Sequence, residues 1–283
     1  MKPASFEYVA ARTIEEALGR KARDGDEARF LAGGQSLVPA MNFRLAQPAV
    51  LIDINPIAAL DYVRREGNAI RVGALARYRS LQRSDEVKRR QPLLDEALPH
   101  VAHPQIRNRG TLAGNLSHAD PASELPAVML ALKARMKARS TSGGRWIDAG
   151  DFFRGALTTA LSSEEMLEEI ELPDLPSGTG TGFCEVARRR GDYAMMAVAA
   201  VVTRRGGRCV GARIALCSAA DTPVLATKTA QALVDGAAPA DAAALVRDEI
   251  DPPSNVHASS AFRKHLAGVL TRRAVETAIA RVA

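Results

Sequence analysis

Residues 32–36, Ala32-Gly33-Gly34-Gln35-Ser36, and residues 111–115, Thr111-Leu112-Ala113-Gly114-Asn115, are two glycine-bearing stretches about eighty residues apart. The first follows the strand-like run Ala28-Arg29-Phe30-Leu31, and its adjacent glycines let successive backbone NH groups converge on an anion. The second leads into Leu116-Ser117-His118-Ala119-Asp120-Pro121-Ala122-Ser123-Glu124-Leu125-Pro126, a polar turn that opens a helix. Either stretch alone also reads as a tight turn. As an ordered pair they read as two halves of a dinucleotide site.

The first stretch lacks the lysine of a Walker loop and is not the GxGxxG turn of a Rossmann unit. Gln35 and Ser36 supply side-chain donors, and a helix expected over 37–44 aims its N-terminus back at the loop. Thr111, Asn115, Ser117 and His118 are neutral hydrogen-bonding groups suited to diphosphate, sugar and ring edges. Asp120 and Glu124 stand four apart near a helix start. Both fit helix capping, and Glu124 also fits an acceptor for sugar hydroxyls. A third candidate is Arg188-Arg189-Arg190-Gly191-Asp192-Tyr193-Ala194, with cations for phosphate and one aromatic able to lie against a planar ring. It reads equally as an exposed turn between strands.

No catalytic set emerges. The chain has no GxSxG elbow, no HExxH and no cysteine with an evident base, and His100 with His103 lacks a carboxylate at ligand spacing. Chemistry therefore falls to a bound cofactor, with no catalytic or metal-ligating residue expected. The three cysteines, Cys184, Cys209 and Cys217, are too few and too scattered for a disulfide framework, a zinc site or a four-thiolate iron-sulfur cluster. Any such cluster serving this protein belongs on another chain.

The 47% apolar and 25% charged content of the 283 residues is that of an ordinary folded protein, and the length suggests about two domains. No apolar run approaches a membrane span, and the N-terminal residues have no apolar signal core, which makes the cytoplasm the expected compartment. The net charge of +6 is spread as arginine pairs and triplets, and only 4% of residues are aromatic. That pattern argues against a nucleic-acid stripe and fits solvated surface, with attraction to an acidic partner chain or anionic cofactor as the remainder.

Along the chain, Thr13-Ile14-Glu15-Glu16 reads as a capping box opening a helix with Ile14, Ala17, Leu18 and Ala22 on one face. Residues 50–54 read as a buried strand, and 62–65 with 69–74 as a hairpin around Glu66-Gly67-Asn68. A helix over 92–101 ends before His103-Pro104. Residues 123–133 are expected to form a helix with one apolar face (Leu125, Val128, Met129, Leu132). A hairpin with arms 135–140 and 145–149, turned by Gly143-Gly144, is expected next. The proline- and glycine-rich segment 173–182 marks a domain boundary. Beyond it come three strands, 182–188, 194–203 and 209–218, the last two joined at Gly206-Gly207. Helices over 226–234, 239–248 and 261–282 follow, the last with Phe262, Leu266, Val269, Leu270, Ala274, Ala278 and Val282 on one side. Strands followed by helices make an α+β second domain.

These residues resemble the FAD-binding medium subunit of molybdenum hydroxylases, the carbon monoxide dehydrogenase and xanthine dehydrogenase flavoprotein family. The carriers are residues 32–37, Asn42-Phe43-Arg44-Leu45-Ala46, Leu51-Ile52-Asp53-Ile54, the run 104–126, the strand 168–173 and Arg189-Arg190-Gly191-Asp192-Tyr193-Ala194. The resemblance implies an α+β chain. A two-part FAD-binding domain of the vanillyl-alcohol-oxidase (PCMH) type covers 1–175, split near 55–60. A smaller domain over 176–283 follows, with a three-stranded antiparallel sheet and a helical bundle.

It also implies that Ala32, Gly33, Gly34, Gln35, Ser36 and Leu37, with Thr111, Ala113, Gly114, Asn115 and His118, wrap the cofactor. Asp120 and Glu124 would hold its sugar and ribityl parts, Leu167 would lie nearby, and Tyr193 would cover the isoalloxazine. The family usually carries a second glycine where this chain has Ala113, which would be strained if that position needed a positive φ.

The function implied is electron relay. Substrate is oxidised at a molybdenum cofactor on a large subunit, electrons cross [2Fe-2S] clusters on a small subunit, and FAD passes them to an external acceptor such as NAD, oxygen or a quinone. A dimer of heterotrimers is the implied assembly. The competing readings are a stand-alone flavin-dependent oxidoreductase of the same fold, which would need a proton donor such as Tyr193 or His118, and a non-redox nucleotide-binding module.

Overall fold

A computed structural model describes residues 1–282. Strands β1 (Glu7–Ala10), β2 (Ala28–Leu31) and β3 (Val50–Asp53) form a parallel sheet in the order β1-β3-β2. Helix α1 (Ile14–Asp24) connects β1 to β2, and α2 (Leu37–Asn42) connects β2 to β3. The capping box forms: Thr13 Oγ1 accepts from the Glu16 NH, and the Glu16 carboxylate reaches back to the Arg12 NH. Every residue of β3 is buried, as a central parallel strand requires.

The second sheet is antiparallel, ordered β4-β5-β10-β6-β7, from β4 (Val63–Glu66), β5 (Ala69–Gly73), β6 (Arg135–Ser140), β7 (Gly143–Asp148) and β10 (Met166–Pro173). Between β5 and β6 run α3 (Tyr78–Arg83), α4 (Asp85–Arg90), α5 (Pro92–Ala97), α6 (Pro104–Arg107), α7 (Leu112–His118) and α8 (Glu124–Leu132). The short α9 (Ala149–Phe152) and the two-stranded β8 (Phe153–Gly155) and β9 (Thr158–Thr159) precede β10.

Two local expectations are corrected here. Gly143 and Gly144 lie within β7, paired with Ser140 and Arg139, so the turn is Thr141-Ser142 and the strand begins two residues early. Helix α8 has no polar face, because all nine of its residues are buried.

That burial follows from the third sheet, which is built from β11 (Thr179–Ala187), β12 (Ala194–Arg205) and β13 (Arg208–Cys217), with the two-residue β14 (Val224–Leu225) added at its edge. Residues alternate along β12. Met196, Val198, Ala200 and Val202 face one core, while Ala197, Ala199 and Val201 join the core of the first 175 residues. Helix α8 packs against β12 and β13, and Arg213 donates to the carbonyls of Ala131 and Leu130 at its C-terminus. Both sides of α8 are thereby enclosed.

Helices α10 (Thr227–Val234), α11 (Pro239–Leu245) and α12 (Ser260–Ala280) cover the opposite face of the third sheet. The apolar stripe of α12 is rotated from the expected one. Phe262 is 45% exposed and Val269 half-buried, while Ala267, Val275 and the polar Arg263 and Thr271 are buried with Leu266, Leu270, Ala274 and Ala278. Arg263 can sit inside because it donates to the Met195 carbonyl and the Asn255 side chain. No described helix is long and apolar enough to cross a membrane.

Candidate functional site

Strands β2 and β3 run parallel with Leu31 opposite Asp53, so the chain leaves both at the same edge of the sheet. Residues 32–36 and Ile54-Asn55 therefore emerge side by side, the crevice where open parallel sheets place ligands. Asn55 fastens them: its Nδ2 donates to the Ala32 carbonyl at 2.9 Å and to the Asp53 carboxylate, which also accepts from the Tyr8 hydroxyl. The Arg77 guanidinium then bridges the Asn55 side chain and the Arg109 carbonyl. The Tyr78 NH donates to the Gly110 carbonyl at 3.0 Å, which delivers Thr111 to the start of α7. Gly33 closes the arrangement. A Cβ there would sit 2.5 Å from the Arg109 carbonyl oxygen and 2.8 Å from Gly110 Cα. The two stretches are thus joined backbone to backbone.

The first stretch is a row of donors. Gly34 has φ +71°, and none of the NH groups of Gly33, Gly34, Gln35 and Ser36 donates to an acceptor among the described residues. Such a row fits a diphosphate. The Gln35 amide, expected as a free donor, is instead spent on the Gly33 carbonyl at 3.0 Å, which stiffens the turn. Helix α2 ends at Asn42, two residues short of expectation, and Arg44 follows at φ +58°.

The second stretch is the first turn of a helix rather than a loop. Thr111 is the N-cap, its Oγ1 accepting from the Gly114 NH at 3.0 Å. Ala113 lies in the helix, 3% exposed and without a positive φ, so alanine carries no backbone strain there. Asn115 is engaged with Ser123 in both directions, at 2.8 and 3.0 Å. The Asp120 carboxylate accepts from the Ala122 NH at 2.9 Å. His118 is half-buried at the end of α7, and Leu167 lies in the core on β10, against which α7 packs. Loss of the cap in Thr111→Ala should lower stability by about 1 kcal/mol, a fall in Tm of about 2–4 °C readable by calorimetry.

Tyr193 lies 55% exposed, with its phenol pushed up to about 12 by the protein packed on its inner side and by the carboxylates of Asp120 and Glu124. Tyr78, buried beside Asn115 and near Glu124, is likewise raised, first by burial. Asp120, Glu124, Asn115, Tyr78 and Tyr193 therefore form one group where α7, α8 and the β11–β12 connection meet. Asn55, Arg77 and Tyr78 were not singled out in the sequence. An Asp-x-Asn at the end of a buried strand was the available signal for Asn55, whereas Ala76-Arg77-Tyr78 carries none.

Behind this group lies a buried acidic seam. Burial raises Glu124 to about 7, with Asp120 adding to it, and raises Glu185 to about 8, with Glu124 adding to it. The Glu185 side chain is 4% exposed, and its Oε2 has no hydrogen-bond partner among the described residues; His100 Nδ1 stands 3.7 Å away. Burial and the Arg190 charge lower His100, so neutral forms face each other here rather than an ion pair. Because both carboxyls are raised in the folded chain, their stabilising contribution is present at acid pH and is lost as pH climbs through about 7 and about 8. Glu185→Gln should match wild type near pH 5 and gain over it at pH 9, by a Tm difference on the order of 5 °C.

Residues 4–175 match the family described as FAD binding domain in molybdopterin dehydrogenase. The chain belongs to this family. Residues 181–278 match the CO dehydrogenase flavoprotein C-terminal domain.

Among curated relatives, the chain is 39% identical to the 6-hydroxypseudooxynicotine dehydrogenase complex subunit alpha of Paenarthrobacter nicotinovorans, covering 99% of this chain and 97% of that one. It is 38% identical to the carbon monoxide dehydrogenase medium chain of Afipia carboxidovorans, covering 99% of each. Among solved structures, a carbon monoxide dehydrogenase from Hydrogenophaga pseudoflava that lacks the Mo-pyranopterin moiety matches over 100% of both chains, with TM-score 0.96 and 36% identity. FAD is the cofactor of this family, and the unpaired NH row at 33–36 fits its diphosphate. The α+β fold of a flavoprotein subunit is that of the carbon monoxide dehydrogenase medium chain.

Proposed function

We propose that this chain holds FAD across its two glycine-bearing stretches and relays electrons from [2Fe-2S] clusters on a small partner chain to an external acceptor. Substrate oxidation would take place at a molybdenum cofactor on a large partner chain. The observation that carries the reading is the set of free NH groups at 33–36, locked to the start of α7 through Asn55 and Arg77. When bound, the flavin supplies the redox chemistry.

The chain's own residues bind and orient. Gly33, Gly34, Gln35 and Ser36 offer NH groups to the diphosphate, with Ala32 and Leu37 shaping the ends of the turn. Thr111, Ala113, Gly114, Asn115 and His118 form the opposing wall, Asp120 and Glu124 take the sugar and ribityl hydroxyls, and Leu167 supports the site from β10. Tyr193, exposed beside Asp120, is the residue proposed to cover the ring. Glu185, its carboxyl raised to about 8 by burial, is mostly protonated near pH 7, whereas Glu124, raised to about 7, titrates there.

The division proposed is 1–175, split near 55–60, and 176–283. It is supported by the limits of the two family matches and by the separate core under α12. The cytoplasm is the proposed compartment, in keeping with three free cysteines, and a dimer of heterotrimers the proposed assembly.

The test is anaerobic rapid mixing of the oxidised, flavin-loaded chain with its reduced cluster-bearing partner. Bleaching of the flavin absorbance at a rate that saturates with partner concentration is expected. A flavin that stays oxidised while the clusters stay reduced contradicts the relay.

A further inference from the structure

Among the described residues, the buried carboxyls of Glu124 and Glu185 have no arginine or lysine within 4.0 Å. Elsewhere in the chain a buried carboxyl comes with partners. Glu168 pairs with Lys137 and Arg139, Glu169 with Arg71 and the Tyr62 hydroxyl, and Asp53 accepts from Tyr8 and Asn55. An enclosed acid without a cation is cheaper to keep protonated than charged, and it then holds a proton that it can give.

The third sheet sets these groups in line. Glu185 on β11 pairs with Ala197 on β12, and Ala197 pairs with Cys217 on β13. Directly paired residues share one face of an antiparallel sheet, here the face turned toward the core that α8 fills. The middle member carries only a methyl group. At the far end the strand holds the turn that opens α8: Cys217 Sγ lies 3.9 Å from the Ala122 carbonyl, and the Ser218 NH donates to the Pro121 carbonyl at 2.8 Å. Glu124 follows that turn, with Asp120 and the exposed Tyr193 beside it.

The outer end opens to water. His100, between α5 and α6, has a side chain 39% exposed and a ring tilted against Phe183 with centroids 5.2 Å apart. Its Nδ1 stands 3.7 Å from Glu185 Oε2, the atom without a hydrogen-bond partner among the described residues. A neutral imidazole can take a proton from water at one nitrogen and release one at the other. Glu124 from α8 and Cys217 from β13 face Glu185 from inside, Glu96 and Arg190 act on His100, and Asp120 acts on Glu124.

We propose that His100, Glu185 and Glu124 carry protons from solvent to the reduced cofactor. The inference deepens the relay reading above and rests on it. One-electron donors bring no proton, yet two-electron reduction of a flavin forms an N–H bond. In the balanced step two donors are oxidised by one electron each, both electrons pass to the flavin, and the O–H bond of the Glu124 carboxyl breaks as its proton forms that N–H bond. Glu185 returns a proton to Glu124, His100 returns one to Glu185, and water returns one to His100.

The test reduces the full chain, loaded with FAD, by reduced methyl viologen, a one-electron donor that carries no proton and needs no partner chain. Flavin bleaching and proton uptake from a pH-indicator dye are followed together, at viologen concentrations where the rate has levelled off. Glu185→Gln keeps the shape and removes the acid. It should slow bleaching and proton uptake by about ten-fold or more near pH 7, with FAD content unchanged. His100→Ala should slow them likewise and recover when imidazole is added. The wild-type rate should fall as pH climbs through about 8, where Glu185 loses its proton, and that fall should be missing in Glu185→Gln. Wild-type rates with one shared pH profile in both variants overturn the proton route. Slowing in both variants with the pH profile unchanged and no recovery in imidazole also overturns it, and leaves the seam a packing role. A wild-type chain that takes up no FAD overturns the reading on which the route rests. A loaded chain that meets every expectation with viologen but takes no electrons from its cluster-bearing partner overturns the relay alone.

Discussion

Gly33→Val strips the protein of FAD while leaving it folded. A Cβ at Gly33 would stand 2.5 Å from the Arg109 carbonyl oxygen and 2.8 Å from Gly110 Cα, both backbone atoms. Neither can retreat freely, because Arg77 holds the Arg109 carbonyl and the Tyr78 NH holds that of Gly110. The side chain therefore pushes the donor row at 33–36 off the start of α7. Overpacking of this kind is worth about 3 kcal/mol, which corresponds to about a hundred-fold loss of affinity if it falls on the bound state. Flavin absorbance of the purified variant, with circular dichroism to confirm the fold, reads the effect. Gly19→Ala, where nothing lies within 4 Å, should keep its FAD. A Gly33→Val chain with stoichiometric FAD would show that the joint between the two stretches is not part of the site.

The largest stability effect is expected far from that joint. Gly180 and Gly182 stand two apart on β11 and face α12, where added Cβ atoms would collide with the carbonyl oxygens of Ala278 and Ala274. The Val282 NH, 2.9 Å from a Cβ at Gly180, and Thr277 Cβ, 3.1 Å from one at Gly182, leave no sideways escape. Helix α12 must lift from the sheet to admit either side chain, opening the core formed by Val198, Val202, Leu266, Leu270 and Ala274. Gly182→Val should cost about 3 kcal/mol, a fall in Tm of about 10 °C, and the double variant with Gly180→Val should be recovered largely insoluble. A Tm within 2 °C of wild type for Gly182→Val would mean that α12 rests on β11 less closely than described.

Much of this architecture was legible because it is written in local chemistry. The capping box at Thr13, the apolar run 50–53 and the hairpin around Gly67 each contain their own instructions, and each forms where expected. The errors fall where distant packing decides. Helix α8 interleaves the small residues Ala127 and Ala131 with its larger apolar ones, which suggested a second, exposed side, but strands β12 and β13, much later in the chain, enclose it. The stripe on α12 was rotated because Arg263 and Thr271 find acceptors or room inside, while Phe262 at the first turn has nothing above it.

The site divides in the same way. The glycine pair and Thr111 announced themselves by residue type. The parts that join them, Asn55 and Arg77, are ordinary residues that matter only because β2, β3 and β5 deliver them to one corner. Gln35, Asn115 and Asp120 were expected as polar groups facing the cofactor. Their side chains nevertheless hold the local backbone or each other, so what faces the crevice from the first stretch is main-chain NH.

The most direct measurement is the cofactor content of the full chain purified with its assembled partners, released by denaturation and identified chromatographically. Stoichiometric FAD in wild type, lost in Gly33→Val and kept in Gly19→Ala, is the predicted result. A wild-type chain that is free of flavin and takes up none when FAD is supplied would contradict the account.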